Sequence, residues 1–430
     1  MRLPFRKLYF LYPAPVTLSV LLIATVGWAQ DSVIEALRRQ MSEMQTTMKK
    51  MAERIEQLEK EKTSDTARVG QVEKSVKAVQ SSPSILNPAI GMAIDATAEH
   101  RDETGGDFNF RAAEIGISAS VDPYARGYAF FTGSKDGVEV EEAAMVTTSL
   151  PWNLQARGGR FFADFGRLAK FHPHEYAFVN TPLSLERMVG GESKADGVEM
   201  NYLFPTPFFL RATLGGYNKL GAENERLDDT KSRSWSRFTY LGRLNTYFDL
   251  ADNHSIELGS SFAYTPSVRL SDASGGSRSL SGIDLTYRYQ PLGSALYQGF
   301  TWGSELFVNS ERQPFEIEVP SADDPDVFET QTIAKRRRSV GAYTYGELKL
   351  NRNWSTGFLF DYAPSIESPA KKTKSYSPFI TWNMSEFNRL RFQYSYLDDK
   401  VREDKSERGH QLFLQWTTIL GSHTHGFRTR

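Results

Sequence analysis

The feature that most limits the possible folds is an alternation of apolar and polar side chains that recurs between residues 89 and 420. In Ile283–Tyr289, for example, the odd positions are apolar or aromatic and the even positions are polar. Successive side chains of a β-strand point to opposite faces of the sheet, so this period of two predicts strands with one apolar and one polar face.

We predict about sixteen such strands, an even number of the kind that closes into a transmembrane barrel around an aqueous channel. Their expected bounds are 89–100, 108–121, 125–133, 138–149, 154–165, 195–204, 208–217, 236–248, 254–265, 280–290, 298–309, 336–350, 354–362, 374–384, 389–398 and 410–420. A soluble β-sandwich would alternate in the same way with its apolar side inward. Aromatic residues at many strand ends and charges on the polar faces favour the membrane barrel.

The connections between these strands alternate in length. Those after the even-numbered strands are short, as in Pro205-Thr206-Pro207, and the longer ones after odd-numbered strands are 166–194, 218–235, 266–279 and 310–335. Outer-membrane barrels have short periplasmic turns and long external loops. With both termini in the periplasm, segment 166–194 becomes the third external loop.

Composition narrows the functional classes. The chain has 430 residues and a formal net charge of -1, whereas a nucleic-acid-binding protein should be distinctly basic. It contains no cysteine, so disulfides and thiolate metal sites are excluded. Its mean hydropathy of -0.45 is too low for a bundle of membrane helices. No nucleophile elbow, P-loop or zinc-protease helix occurs, and we expect neither enzymatic activity nor a cofactor.

The N-terminus has the pattern of an export signal. Basic residues precede the mostly apolar stretch 8–26, and Gly27-Trp28-Ala29 is a plausible cleavage site, so residues 1–29 are predicted to be a signal peptide. The apolar stretch is long enough that a retained membrane anchor is the alternative. Either interpretation places the rest of the chain outside the cytoplasm.

Residues 31–80 have apolar residues at alternating spacings of three and four, which predicts a periplasmic coiled coil. A single amphipathic helix lying on a globular domain is the alternative. Within this segment, the sequence from Arg54 to Glu59 resembles the trimerisation motif of short parallel three-stranded coiled coils, which implies a homotrimer. The residues that would form it are Arg54, Ile55, Leu58 and Glu59. Residues 81–88 follow as a linker, and residues 89–427 form the predicted barrel.

A family resemblance rests on the coiled coil, the linker, Asn87-Pro88 before the first strand, and the run from Gly159-Arg160-Phe161 to Phe165-Gly166. Together these look like Gram-negative porins of the phosphate-selective O/P type. The resemblance implies a trimer of sixteen-stranded barrels whose third external loop folds into the lumen as a constriction. Porins of this kind usually end on Phe, whereas here Phe427 is followed by Arg428-Thr429-Arg430.

Candidate pore residues come from the third loop and from the polar faces of the strands. The candidate constriction residues are Arg167, Lys170, His172, His174, Glu175, Glu186 and Arg187. The candidate lumen-wall residues are Arg160, Arg211, Arg243, Asp284, Arg288, Arg389 and Arg391, with Arg157 as the alternative to Arg160 because only one of the two can face inward. Charges of both signs favour a transverse field that selects small polar solutes over an anion-selective pore, and salt bridges that stiffen the wall are the alternative.

His172 and His174 flank a proline and precede Glu175, so they are weak candidates for a metal site. The sequence favours the alternative, in which they are polar lining residues of the constriction or of a subunit contact.

The sequence therefore favours a trimeric outer-membrane porin for small polar solutes or ions, with outer-membrane lipids, lipopolysaccharide and further copies of the chain as partners and no nucleic acid. The alternative is a structural tether whose barrel anchors a periplasmic coiled coil. An outer-membrane hydrolase would need a Ser–His pair that the sequence does not establish.

Overall fold

The computed structural model describes residues 49–50, 87–102, 104–221, 235–270, 273–291, 297–320, 328–365, 371–400 and 406–421. The chain divides into two compact units, Met1–Ser81 and Ser82–Arg430. In the first unit only Lys49 and Lys50 are described, and both are helical. Outside the described residues lie the predicted signal peptide, the predicted coiled coil except Lys49 and Lys50, its trimerisation residues Arg54, Ile55, Leu58 and Glu59, and the segment from Phe427 to Arg430.

The second unit is a closed antiparallel barrel of sixteen strands, each paired with its neighbours in sequence. The strands are β1 Ala89–Arg101, β2 Gly105–Ser120, β3 Ala125–Ser134, β4 Gly137–Thr147, β5 Leu154–Phe162, β6 Lys194–Leu203, β7 Phe209–Tyr217, β8 Thr239–Ala251, β9 His254–Leu270, β10 Ala273–Tyr289, β11 Gly299–Pro320, β12 Phe328–Lys349, β13 Trp354–Pro364, β14 Lys372–Asn383, β15 Asn388–Lys400 and β16 Ser406–Gly421. The prediction of about sixteen antiparallel strands in a closed barrel is confirmed.

Pairing of the first strand with the last closes the wall. Eleven residue pairs join β1 to β16, from Gly91 with Gly421 to Arg101 with Gln411. Closure gives every strand two hydrogen-bonded neighbours, which a sheet needs if its backbone groups are to be satisfied in lipid.

The alternation seen in the sequence separates the two faces of this wall. Ile283 is 60% exposed on the outside, whereas its neighbour Asp284 is 1% exposed on the inside. The last strand shows the same separation, since Trp416 is exposed and Gln415 is buried. An apolar outer belt around a polar interior is the arrangement of an outer-membrane barrel.

Two hairpins extend further than the sequence indicates. The connection between β9 and β10 is 271–272 instead of 266–279, and that between β11 and β12 is 321–327 instead of 310–335. Pairing continues to Pro320 and Phe328 at the end of the second hairpin. Beyond the lipid-facing belt the outer face no longer has to be apolar, so the alternation fades there while the backbone pairing continues.

Helices are few in the described part of the chain. A single-turn 3-10 helix covers Pro173–Glu175, the α-helix α1 covers Leu183–Val189, and a second 3-10 turn covers Trp235–Arg237. Among the described residues, no helix is both long enough and apolar enough to cross a membrane.

Candidate functional site: the loop inside the barrel

Residues 163–193, between β5 and β6, lie inside the barrel; we call this segment loop L3. The amide of Gly166 donates to Ser261 Oγ of β9 at 3.1 Å. The amide of Val179 donates to Gln393 Oε1 of β15 at 2.7 Å, and that of Ser184 donates to the carboxylate of Asp361 in β13 at 3.2 Å. These strands lie far around the wall from β5 and β6, so loop L3 crosses the lumen.

Apolar side chains explain why the loop folds inward. Phe165, Phe178 and Leu185 are completely buried and belong to one cluster with the inward-facing Phe307 and Phe379 of the wall. Phe165 stacks on Phe307 with ring centroids 6.4 Å apart. Burying a side chain of this size contributes about 1.5–3 kcal/mol, which favours the seated loop over one that extends into solvent.

Arginines of the wall satisfy the backbone of this irregular segment. Arg391 donates to the carbonyl of Phe178 at 2.9 Å, and Arg111 donates to that of Val179 at 2.9 Å. Arg389 donates to the carbonyl of His174. Buried carbonyls outside regular structure need such partners. These wall arginines therefore bind loop backbone.

The start of loop L3 depends on a glycine. Gly166 has φ of +62°, and a Cβ there would lie 1.9 Å from Glu305 Oε1. That oxygen instead accepts the amide of Arg167 at 3.0 Å, while the Arg167 guanidinium pairs with Glu257 at 2.7 Å. The chain turns here because a residue without a side chain fits beside Glu305.

Asp164 is the charged anchor of the loop. Its carboxylate pairs with Lys170 and with Arg211 at 3.1 Å, and it lies 3.6 Å from Arg243. Burial by itself would raise the pKa of Asp164, but these three cations hold it well below its usual range. Burial lowers the pKa of Lys170, and the two arginines lower it further against the opposing effect of Asp164. Asp164 therefore stays ionised beside three cations.

Beneath the loop lies a cavity of about 330 Å³. Its lining comes from loop L3 and from strand ends next to the short turns, such as Gln155, Phe209 and Arg288. The charged lining residues are Arg157, Asp164, Arg167, Lys170, Glu199, Arg211, Glu257 and Arg288. Five cations and three carboxylates face one space, so the cavity carries both signs with an excess of positive charge.

Ion pairs order these charges along the cavity wall. Arg157 pairs with Glu199, whose side chain is fully buried, and Arg157 also lies over the ring of Phe161 at 4.0 Å. Arg160 instead pairs with Asp196 at 2.7 Å, with its side chain 42% exposed, and does not line the cavity. Of the two arginines that compete for the inward face of β5, Arg157 is the one that lines the cavity.

The other sequence-selected wall residues form pairs or bind loop L3. Arg243 and Asp284 make a buried bidentate pair at 2.6 and 3.0 Å. Arg288 lies 3.5 Å from Glu257 in the cavity.

The sequence-selected loop residues separate into three groups. Arg167 and Lys170 line the cavity. The part of the loop that faces the wall contains His172, His174 and Glu175. The Glu175 carboxylate accepts a hydrogen bond from the amide of His172 at 3.2 Å. On α1, Glu186 is exposed and Arg187 donates to the carbonyl of Ala363 and, at 2.7 Å, to Thr373 Oγ1.

Sequence reasoning missed Glu141, which meets His172 from β4. His172 Nδ1 lies 3.3 Å from Glu141 Oε1, 3.5 Å from Glu114 Oε2 and 3.7 Å from Glu192 Oε1. Burial lowers the pKa of His172, but the three carboxylates outweigh it and raise the pKa to about 10. The pairing of β3 with β4 skips Glu141, a bulge that turns both Glu141 and Glu142 inward, and the adjacent glutamates that interrupt the alternation are its sequence signal.

Comparison with known proteins identifies a relative of this chain. No family model matches the chain. A protein of Aquifex aeolicus (strain VF5), itself uncharacterised, is 31% identical over 342 residues, which cover 74% of this chain and 69% of that protein. The two proteins belong to one family.

Solved structures similar to this chain include outer-membrane porins and other outer-membrane proteins. The anion-selective porin from Comamonas acidovorans has a TM-score of 0.52 and 11% identity, covering 77% of this chain and 99% of that one. The trimer form of OmpT, an outer-membrane protein of Vibrio cholerae, has a TM-score of 0.51 and 9% identity, covering 77% and 98%. Likeness at this level of identity shows the fold alone: this chain has the fold of an outer-membrane porin, as the sequence predicted for an outer-membrane barrel.

Proposed function

We propose that this protein is an outer-membrane diffusion porin that passes small polar solutes or ions, with loop L3 narrowing its channel. The observation that carries the proposal is a loop held across the lumen of a closed barrel, above a cavity with charged walls. An aqueous lumen hydrates such charges, whereas a filled protein core would not. The porin fold of this chain agrees with this function.

The charges of the cavity suggest what passes. Five cations and three carboxylates line it, and most are engaged in pairs such as Arg157 with Glu199 and Arg167 with Glu257. Such a wall imposes a transverse field on a dipolar solute and gives a modest preference for anions. It offers no cluster of cations without carboxylates, so we extend the resemblance to phosphate-selective porins to architecture and not to phosphate selectivity.

The test is reconstitution of the full chain into planar bilayers and liposomes. We expect stepwise ionic conductance, a reversal potential that indicates weak anion preference, and swelling rates that fall with the size of the solute. Absence of conductance from correctly folded barrels would contradict the proposal. Deletion of the part of loop L3 that contains α1, residues 180–190, should raise unit conductance if the loop narrows the channel.

We further propose that three copies assemble through the coiled coil predicted for residues 31–80. Chemical cross-linking of the purified protein should give a trimer, and conductance should appear in groups of three steps. Deleting residues 31–80 should weaken the trimer while leaving the conductance of each barrel intact. A protein whose only role is to tether the envelope would lose adhesion on this deletion and would not conduct before it.

A further inference from the structure

Three buried side chains from three parts of the chain meet at one point behind loop L3. Glu114 of β2, Glu141 of β4 and His172 of the loop are all at most 5% exposed. One ligand atom from each lies within 4.8 Å of the others. Glu192, at the other end of the loop, places a carboxylate oxygen 3.7 Å from the same imidazole nitrogen. The group thus offers one nitrogen and three oxygens.

The spacing of these atoms is that of ligands around a common ion. His172 Nδ1 is 3.3, 3.5 and 3.7 Å from the three carboxylate oxygens. The contact to Glu141 is a hydrogen bond, longer than the usual charge-assisted N–H···O distance of about 2.7–2.9 Å. Two ligands that each lie about 2.0–2.2 Å from a tetrahedral zinc ion are separated by roughly 3.3–3.6 Å. The separations to Glu141 and Glu114 fall in this range, and the 3.7 Å to Glu192 lies just beyond it, so the three-residue group has the spacing of ligands around a small cation and Glu192 is near enough to join it.

Neighbouring groups fix the orientation of two donors. The His172 ring is held between Phe162, with centroids 4.8 Å apart, and His174, stacked at 5.5 Å. Thr132 Oγ1 donates to Glu141 Oε2, which leaves the other oxygen of that carboxylate toward His172. Metal ligands in proteins are usually oriented by such outer contacts.

The charges also favour a cation. Three carboxylates converge on one imidazole, and Lys194 of β6, which pairs with Glu139 at 3.1 Å, is a second cation that also interacts with Glu192 and Glu141. Burying several carboxylates together is costly unless positive charge compensates them. A divalent ion supplies such charge at the point where the carboxylates meet.

We propose that Glu114, Glu141 and His172, with Glu192 as a fourth ligand, bind a divalent transition-metal ion. One imidazole with carboxylates suits zinc and its neighbours in the first row better than Mg²⁺ or Ca²⁺, which prefer oxygen alone. The ion joins two points of loop L3, His172 and Glu192, to β2 and β4. It thereby fixes the position of the loop in the lumen.

The test uses the full-length protein in detergent, stripped with a chelator and titrated with ZnCl₂ by calorimetry. We expect one ion per chain, with affinity lowered on the order of a hundred-fold in Glu141→Gln and in His172→Gln. The matched control is Glu139→Gln, an exposed carboxylate on the same strand. A His423→Gln/His425→Gln double variant controls for binding by the chain end, and both controls should bind as the parent does.

Two further measurements keep the test decisive. Heat-modified migration on gels reports whether each variant folds. If a ligand variant does not fold, X-ray absorption of the zinc-loaded parent replaces it, with one imidazole nitrogen and carboxylate oxygens near 2.0 Å expected. Lack of a stoichiometric ion in the parent, unchanged affinity in both folded ligand variants, or a spectrum without a single imidazole overturns the proposal. Conductance is measured separately, so a metal-free porin and a metal-binding barrel that does not conduct are distinguished.

Discussion

Arg243 and Asp284 form a buried ion pair inside the wall, with side-chain exposures of 0% and 1%. Removing one partner of such a pair leaves an uncompensated charge, so we expect Arg243→Met to lower the free energy of unfolding by about 3–5 kcal/mol. Arg160→Gln removes an exposed pair with Asp196 and should cost about 0–1 kcal/mol. Denaturant unfolding in lipid vesicles measures both values, and equal losses would contradict the expectation.

Arg211 adds positive charge to the cavity and is 34% exposed there. Replacing it with glutamine should shift the reversal potential in a salt gradient toward cation preference, because the cations then exceed the carboxylates by less. Arg352→Gln removes an exposed charge in the turn after β12 and should leave the reversal potential unchanged. A shift of the same size in both variants would show that the cavity does not control ion preference.

At the scale of single residues, the sequence could predict which face a side chain takes but not its partner. Alternation placed Arg243 and Asp284 on the inner face, since the period of two is a local property. Their pairing depends on the register of β8 against β9 and β10, which brings together residues 41 positions apart. The meeting of Glu141 with His172 needed a folded loop as well as the bulge, so no local pattern alone could reveal it.

Loop L3 is an element held by charge as well as by packing, and its Asp164 anchor gives it a dependence on pH. The folded-state pKa of Asp164 lies below its unfolded value, so its contribution is complete above about pH 4 and is lost as the pH falls through the folded value. Asp164→Asn should loosen the loop already at neutral pH. Hydrogen exchange of residues 163–193 measures this.

The control for that variant is Asp136→Asn, an exposed aspartate between β3 and β4. It should leave loop exchange unchanged at neutral pH. Equal exchange in Asp164→Asn and the parent would show that the anchor does not hold the loop.

The entry of the same element can be tested at Gly166. Gly166→Ala adds a Cβ that would lie 1.9 Å from Glu305 Oε1 at a φ of +62°, so Glu305 must move and the amide of Arg167 loses its partner. Gly191→Ala has the similar φ of +82°, but its Cβ would lie 3.7 Å from the nearest atom, Thr181 Cγ2. Backbone strain costs about 1–2 kcal/mol in either variant. Faster hydrogen exchange at residues 163–170 should appear only for Gly166→Ala.

At the scale of elements, the sequence predicted the strands better than the connections. The connection predicted at 166–194 is found at 163–193. Its helix α1 and its path across the lumen depend on contacts with β9 to β15, which no local pattern contains. The extensions of β11 and β12 were also missed, because pairing outside the apolar belt does not require alternation.

For the whole molecule, the apolar outer face should be the surface that meets lipid. Ile283 lies in the middle of β10 and is 60% exposed, so Ile283→Lys should cost about 2–4 kcal/mol in lipid vesicles. Val138, 80% exposed at the start of β4, lies near the end of the barrel, and Val138→Lys should cost about 0–1 kcal/mol. Equal costs would contradict this placement of the belt.

Loop L3 is joined to parts of the chain that are synthesised much later. Val179 bonds to Gln393, 214 positions downstream, and the carbonyl of Phe178 accepts from Arg391 after 213. Because both partners belong to β15, these bonds can form only when nearly all of the wall exists. The loop therefore cannot reach its final position before the C-terminal strands have formed. Seating of loop L3 belongs to the last stage of assembly, although its own residues lie in the first half of the chain.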